Sequence, residues 1–393
     1  MTAPSNAPRD EPRTELKLEA RASGWARIYQ AARDLYVTVV NLPRSLTVSL
    51  VTLIVGSMVA GVAWFVVGVV LPQYAPTYKT QFLIDATTAP ADIAKSLMTV
   101  MGSAGDRDAL ALRSFGGRCG AEDNTAQLVS FGTGNRREIE AAAGKVRAGG
   151  ENTLLRGIVA AVEDFTTPFA QRAKQVNRVI VISNHGADAC DTDTAFVERE
   201  IRERVASAGL SIQFRVVGYQ VPRGRRGGLE GIAAASGAPA PLYASTRAQL
   251  DAALDWFANV EPVLDNATRT INTLNANVAR IETALKAVRD GRQDVAAREL
   301  NQAGTADVDT ELDDLAGRAK TPAARDLHTR AADLRTHQKR LLDGALRVLD
   351  AARSGSPPTL APLERATTDY NDKVRRMNDA LTALRATAPA SSS

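Results

Sequence analysis

The stretch Phe82-Leu83-Ile84-Asp85-Ala86-Thr87-Thr88-Ala89 constrains the fold more than any other, because a run of apolar residues ends abruptly in an acidic, hydroxyl-bearing turn. Pro90 and the apolar series Ile93, Leu97, Val100 and Met101 follow at helical spacing, so the turn lies between a strand and a helix. In an open parallel sheet such a turn sits at the carboxyl ends of the strands, where ligands bind. Further strands are expected at Thr80–Ile84, Ala109–Ser114, Gln127–Phe131, Arg178–Ile182 and Ile212–Val217. Helices are expected between them, at Ala91–Met101, Arg136–Arg147, Leu154–Phe165, Thr194–Ala208 and Gln249–Val260. That alternation predicts a doubly wound α/β fold with a mainly parallel sheet.

The amino-terminal part obeys a different rule. No charged residue lies between Arg44 and Lys79, and Leu46–Leu71 is almost wholly apolar. About 20 such residues cross a hydrocarbon core as a helix, so residues 45–71 are expected to span a membrane. Arg21, Arg27, Arg33 and Arg44 precede the run and only Lys79 follows closely, which places residues 1–44 in the cytoplasm and the rest outside. Trp64, Tyr74 and Tyr78 suit the outer interface. Residues 1–20 read as a disordered tail, and Trp25, Ile28, Tyr29, Ala32, Leu35 and Tyr36 as either an amphipathic helix or an extension of the spanning helix broken at Pro43. A net charge of +4 on 393 residues is too mild to argue for nucleic acid.

From Glu261 glycine and aromatics become rare. Leu264, Ala267, Ile271, Leu274, Val278, Ile281, Leu285 and Val288 step by three and four, and further helices are expected near Val308–Ala319, Ala323–Ala352 and Leu360–Ala386. Residues 261–387 are therefore read as a helical coiled coil or bundle able to oligomerise, with most of its charges on a solvated face, and 388–393 as a frayed end.

Three turns carry a resemblance. Asp85-Ala86-Thr87-Thr88-Ala89 after the first strand, Thr153 after Gly149-Gly150, and Ser183-Asn184-His185-Gly186 after the fourth strand are similar to the metal-ion-dependent adhesion site of von Willebrand factor type A domains. That pattern reads Asp-x-Ser-x-Ser, a threonine after a Gly-Gly turn, and Ser/Thr-Asp-Gly. The resemblance covers about residues 79–260 and implies a recognition domain, not an enzyme. It implies Asp85, Thr87, Thr153, Asn184 and Asp188 as a degenerate ligand set for weakly bound Mg2+ or Mn2+, with Asp191 a further candidate; Ala89 offers no oxygen, and Asn184 removes a charge. In the family's strand order the loops holding Cys119 and Cys190 meet, so a disulfide between them is implied, worth roughly 4 kcal/mol.

Arg223, Arg225 and Arg226 follow the fifth strand and are candidates to hold carboxylates or phosphates of a partner, although a solvated loop is the commoner reading of such a stretch. His185 reads as a surface-loop residue, since no nucleophile with an orienting third group accompanies it. His328 and His337, nine apart on a helix, fit no helical ligand pair. The whole is expected to be a single-pass bacterial envelope protein whose external domain recognises or adheres to another protein. The alternative is an assembly scaffold whose helices carry the interaction and whose α/β domain binds no metal.

Overall fold

The computed structural model describes residues 78–88, 90–165, 175–357 and 360–390. The expected tail, amphipathic helix and membrane span lie outside them. Among the described residues no helix is long and apolar enough to cross a membrane. Residues 70–393 belong to one compact unit.

Six strands form one sheet in the order β3-β2-β1-β4-β5-β6: β1 (Tyr78–Asp85), β2 (Ala109–Phe115), β3 (Thr125–Thr133), β4 (Val176–Ser183), β5 (Ile212–Tyr219) and β6 (Leu242–Ala244). Only the edge strand β3 runs antiparallel. Successive side chains of a strand point to opposite faces, so each central strand feeds two cores. Phe82, Ile84, Leu112, Ile180, Ile182 and Val217 pack beneath α1 (Pro90–Met101), α2 (Arg136–Ala143) and α6 (Arg247–Asp255). Leu83, Phe115, Val179, Val181, Phe214 and Val216 pack beneath α3 (Leu154–Glu163), α4 (Thr194–Ser207) and α5 (Arg226–Ala235). This is why the strands read as continuous apolar runs. Gly157 brings α3 close to the sheet, where a Cβ would stand 2.7 Å from Phe115 Cβ.

Two elements of this part were hidden. Residues 226–235, where no helix was expected, form α5 despite three glycines; a Cβ on Gly228 would stand 1.9 Å from Gly186 O, so the helix lies this close to the β4–α4 loop only with glycine there. Tertiary closeness here overrides helix propensity. The other is β6, only three residues long.

α6 opens on a capping box between Thr246 and Gln249 and continues through a π-turn at Trp256–Val260 into α7 (Glu261–Arg289). The expected border at residue 260 thus falls inside a run of consecutive helical residues. α8 (Gln293–Thr305), α9 (Asp309–Arg318), α10 (Pro322–Arg353) and α11 (Ala361–Arg385) complete a bundle. The stripe predicted for α7 faces inward: Leu264, Ala267, Ile271, Leu274, Val278 and Ile281 are buried, and Leu285 and Val288 are partly so. On α10 Leu327, Leu334, Leu341 and Leu349 join that core while Leu346 remains exposed. Gly291 and Gly304 both read from the sequence as punctuation of the helical region; Gly291, at φ +73°, does end α7, whereas Gly304 lies within α8.

The bundle is seated on the amino ends of the strands through charges as well as apolar contacts. Arg178, fully buried at the start of β4, donates to Phe257 O at 2.6 Å and Gln213 Oε1 at 2.9 Å, and faces Asp265 at 3.5 Å. Arg215 of β5 is bound by Glu261, and Asp108, ahead of β2, is paired with Arg318 of α9. The helix charges among them, on Glu261, Asp265 and Arg318, were expected on a solvated face; the structure makes them part of an internal seam.

Candidate functional site

Asp85 ends β1 at the carboxyl rim of the sheet and is fully buried. Its Oδ1 accepts from the Thr87 amide at 2.9 Å and from the Thr87 hydroxyl. Its Oδ2 accepts from Ser183 Oγ at 3.1 Å and the Asn184 amide at 3.0 Å, with His185 Nδ1 at 3.3 Å. Burial pushes this carboxyl up, but the hydrogen bonds from His185, Thr87 and Asn184 outweigh it and hold it below the usual carboxylate range. The resemblance therefore brings Asp85, Thr87, Ser183 and Asn184 together as implied.

His185 corrects the expectation of a surface-loop residue. Its side chain is only 29% exposed and its Nδ1 stands 3.1 Å from Thr87 Oγ1 as well as beside Asp85. One signal was legible: the family pattern has glycine after Ser/Thr-Asp, and here a histidine intervenes between Ser183-Asn184 and Gly186.

Thr153 and Asp188 are taken up by hydrogen bonds of their own. Thr153 Oγ1 donates to Asn124 O at 2.7 Å and accepts from the Gly116 amide at 3.0 Å, closing the β2–β3 loop. Asp188 Oδ2 accepts from the Leu155 amide at 2.7 Å, in the first turn of α3, and its Oδ1 accepts from the Cys190 and Asp191 amides at 2.8 and 3.0 Å. Both are turn-closing groups. Thr153→Val is expected to cost about 1 to 3 kcal/mol, since it strands a buried carbonyl and amide; urea unfolding at unchanged m-value checks it.

The rim is braced. Cys119 and Cys190 form a disulfide, with Cα atoms 5.3 Å apart, joining the β2–β3 and β4–α4 loops. Gly186 lies so close to the start of α5 that a Cβ would stand 1.6 Å from Arg225 O. Arg223 and Arg225 are exposed on a short 3-10 turn at this rim. Arg226 is instead stacked over the Tyr243 ring at 4.3 Å.

Do these residues fit a divalent cation? A hard cation wants six or more oxygen donors at close range. Every oxygen of Asp85 and Asp188 already accepts hydrogen bonds, and both hydroxyls implied as ligands, on Thr87 and Thr153, are engaged. Of the implied ligand oxygens, only the buried Asn184 Oδ1 has no hydrogen-bond partner. The set does not fit.

No protein-family model matches the sequence, and no curated protein matches it. Similar solved structures include a von Willebrand factor type A protein from Catenulispora acidiphila, 14% identical over 46% of this chain and 42% of that one, with a TM-score of 0.36. The pilus adhesin SpaC of Lactobacillus rhamnosus GG is 12% identical over 47% and 30% of the two chains, with a TM-score of 0.37. The vWF domain of the type V pili tip protein Mfa5 from Porphyromonas gingivalis is 9% identical over 46% and 93%, with a TM-score of 0.35. The chain spans less than half the length of the first two. Von Willebrand factor type A domains, the family that the Asp85, Thr153 and Ser183 turns resemble, thus stand among the structures similar to this chain.

Proposed function

We propose that the chain is a single-pass, membrane-anchored recognition protein of the bacterial envelope, whose α/β head binds a protein partner at the carboxyl rim of its sheet. The observation that carries this reading is the division between the two ends of the sheet. Helices α7 and α9 seal the amino ends with buried charge pairs, whereas the carboxyl ends present loops tied together by a disulfide and two exposed arginines. A braced loop cluster on a rigid sheet limits the ordering entropy that binding costs. Arg223 and Arg225 suit carboxylates, which a guanidinium grips through two parallel hydrogen bonds. The anchor at 45–71 rests on the sequence, and a disulfide accords with the oxidising side of a membrane.

Crosslinking in intact cells followed by mapping of the linked peptides tests this. Links are expected within residues 116–124, 184–193 and 220–226, and Arg223→Ala/Arg225→Ala is expected to weaken the captured interaction about tenfold and to flatten its salt dependence. Links confined to residues 261–387 would instead support the scaffold reading. One observation favours that second reading: a groove of about 510 Å3 between α7 and α8, lined by Ala276, Asn277, Arg280, Gln302, Thr305 and Ala306, gives the helices a concave surface of their own.

A further inference from the structure

We propose that the head takes no divalent cation because the His185 ring occupies the place between Asp85 and Thr87 that the resemblance assigns to one, so that this rim recognises its partner independently of metal. The exclusion of the cation does not rest on the reading of the rim as a binding surface; its consequence for the partner does.

The donor set supports it on three counts. First, the direction is taken: Nδ1 of His185 lies 3.1 Å from Thr87 Oγ1 and 3.3 Å from Asp85 Oδ2, so one ring nitrogen bridges the two implied ligands. A cation reaching both oxygens would have to displace that ring. Secondly, the ring is held where it is by its own turn. Ser183 Oγ accepts from the His185 amide at 3.1 Å and lies 2.9 Å from its carbonyl, while Gly186 is pressed against Arg225. Thirdly, the charge that would draw a cation is reduced. Asn184 is neutral where the pattern has aspartate, and the Asp188 carboxylate accepts three amides in a turn and a helix start. Among the implied ligand oxygens, the one left without a hydrogen bond is the neutral one on Asn184.

The internal pair also explains how a carboxylate can be fully buried here without a metal beside it. A buried carboxylate is costly unless hydrogen-bonded, and Asp85 receives Thr87, Ser183, Asn184 and His185 in place of an ion.

The test uses the purified full-length protein in detergent micelles and Mn2+ alone, followed by the electron paramagnetic resonance signal of the free ion and by thermal unfolding. The wild-type protein is expected to leave the free signal unchanged and to show no rise in Tm on going from chelator to millimolar Mn2+. Asn184→Asp/His185→Gly, which restores Ser-Asp-Gly at 183–185, is expected to gain one site and at least about tenfold in Mn2+ affinity, the scale at which a ligand in excess stabilises measurably. Stoichiometric Mn2+ uptake by the wild type overturns the proposal without any variant. So does a folded double variant that binds Mn2+ no better than the wild type, because the ring would then not be what keeps the ion out. Either result leaves the crosslinking outcome at the rim unaffected, so the two readings fail separately.

Discussion

Cutting Arg318 back to alanine is expected to lower the free energy of unfolding by about 3 to 5 kcal/mol near neutral pH, as measured in urea. Its guanidinium pairs with Asp108, the two side chains being 5% and 4% exposed, and it lies over the Tyr78 ring at 3.9 Å. Without it Asp108 keeps the Gly105 amide at 3.0 Å as its direct hydrogen bond in a buried seam. Burial already pushes the Asp108 carboxyl above its ordinary range, ahead of the downward pull of Arg318 and Gly105. An acid raised in this way stabilises the fold fully below its unfolded value, and that contribution is lost as pH rises through the folded value. Loss of Arg318 raises Asp108 further, so the penalty of Arg318→Ala shrinks on acidification into the carboxylate range. Asp108→Asn/Arg318→Met is expected to recover most of the stability, since a buried pair can be replaced by uncharged groups more cheaply than it can be broken. A double variant as unstable as the single one would locate the cost in lost packing instead.

Replacing Cys119 and Cys190 by serine is expected to cost about 4 kcal/mol, the chain-entropy value for the 71-residue separation that the disulfide closes. The comparison is between unfolding of the oxidised wild type, the reduced wild type and the double serine variant. The latter two should coincide. A loss well under half that size would mean that the reduced, unfolded chain keeps residual structure that already restricts this loop.

How far the sequence revealed this molecule depends on what kind of interaction shaped each part. The central strands were legible because burial on both faces leaves an unbroken apolar run, as in Phe82–Ile84 and Val179–Ile182. The stripe on α7 was legible because one face alone is buried. α5 was not, since its glycines are read locally as loop and the proximity of the Gly186 backbone, which requires the one at 228, is not visible in sequence. α8 was obscured in the same way by Gly304, although a helical glycine costs only about 1 kcal/mol against alanine. At the rim, Asp85 and Thr87 were marked by a pattern of residue types in order. The roles of Thr153 and Asp188 were not, because a hydroxyl or carboxylate that closes a turn looks the same in sequence as one that binds an ion. His185 was misread because its partners, Asp85 and Thr87, are about a hundred residues away. The seam at the amino ends was invisible for a related reason: Arg178, Arg318 and Asp108 sit among ordinary charged neighbours, and nothing local shows that they face one another.

That seam bears on how the polypeptide matures as it is made. Arg178 finds acceptors at Phe257 and Asp265, and Asp108 finds its counter-charge only at Arg318. A nascent chain that has just delivered β6 therefore carries a sheet whose charged underside has no lid. The seam can close only once residue 318, in the last quarter of the chain, has been made, so these charges find their partners late in synthesis.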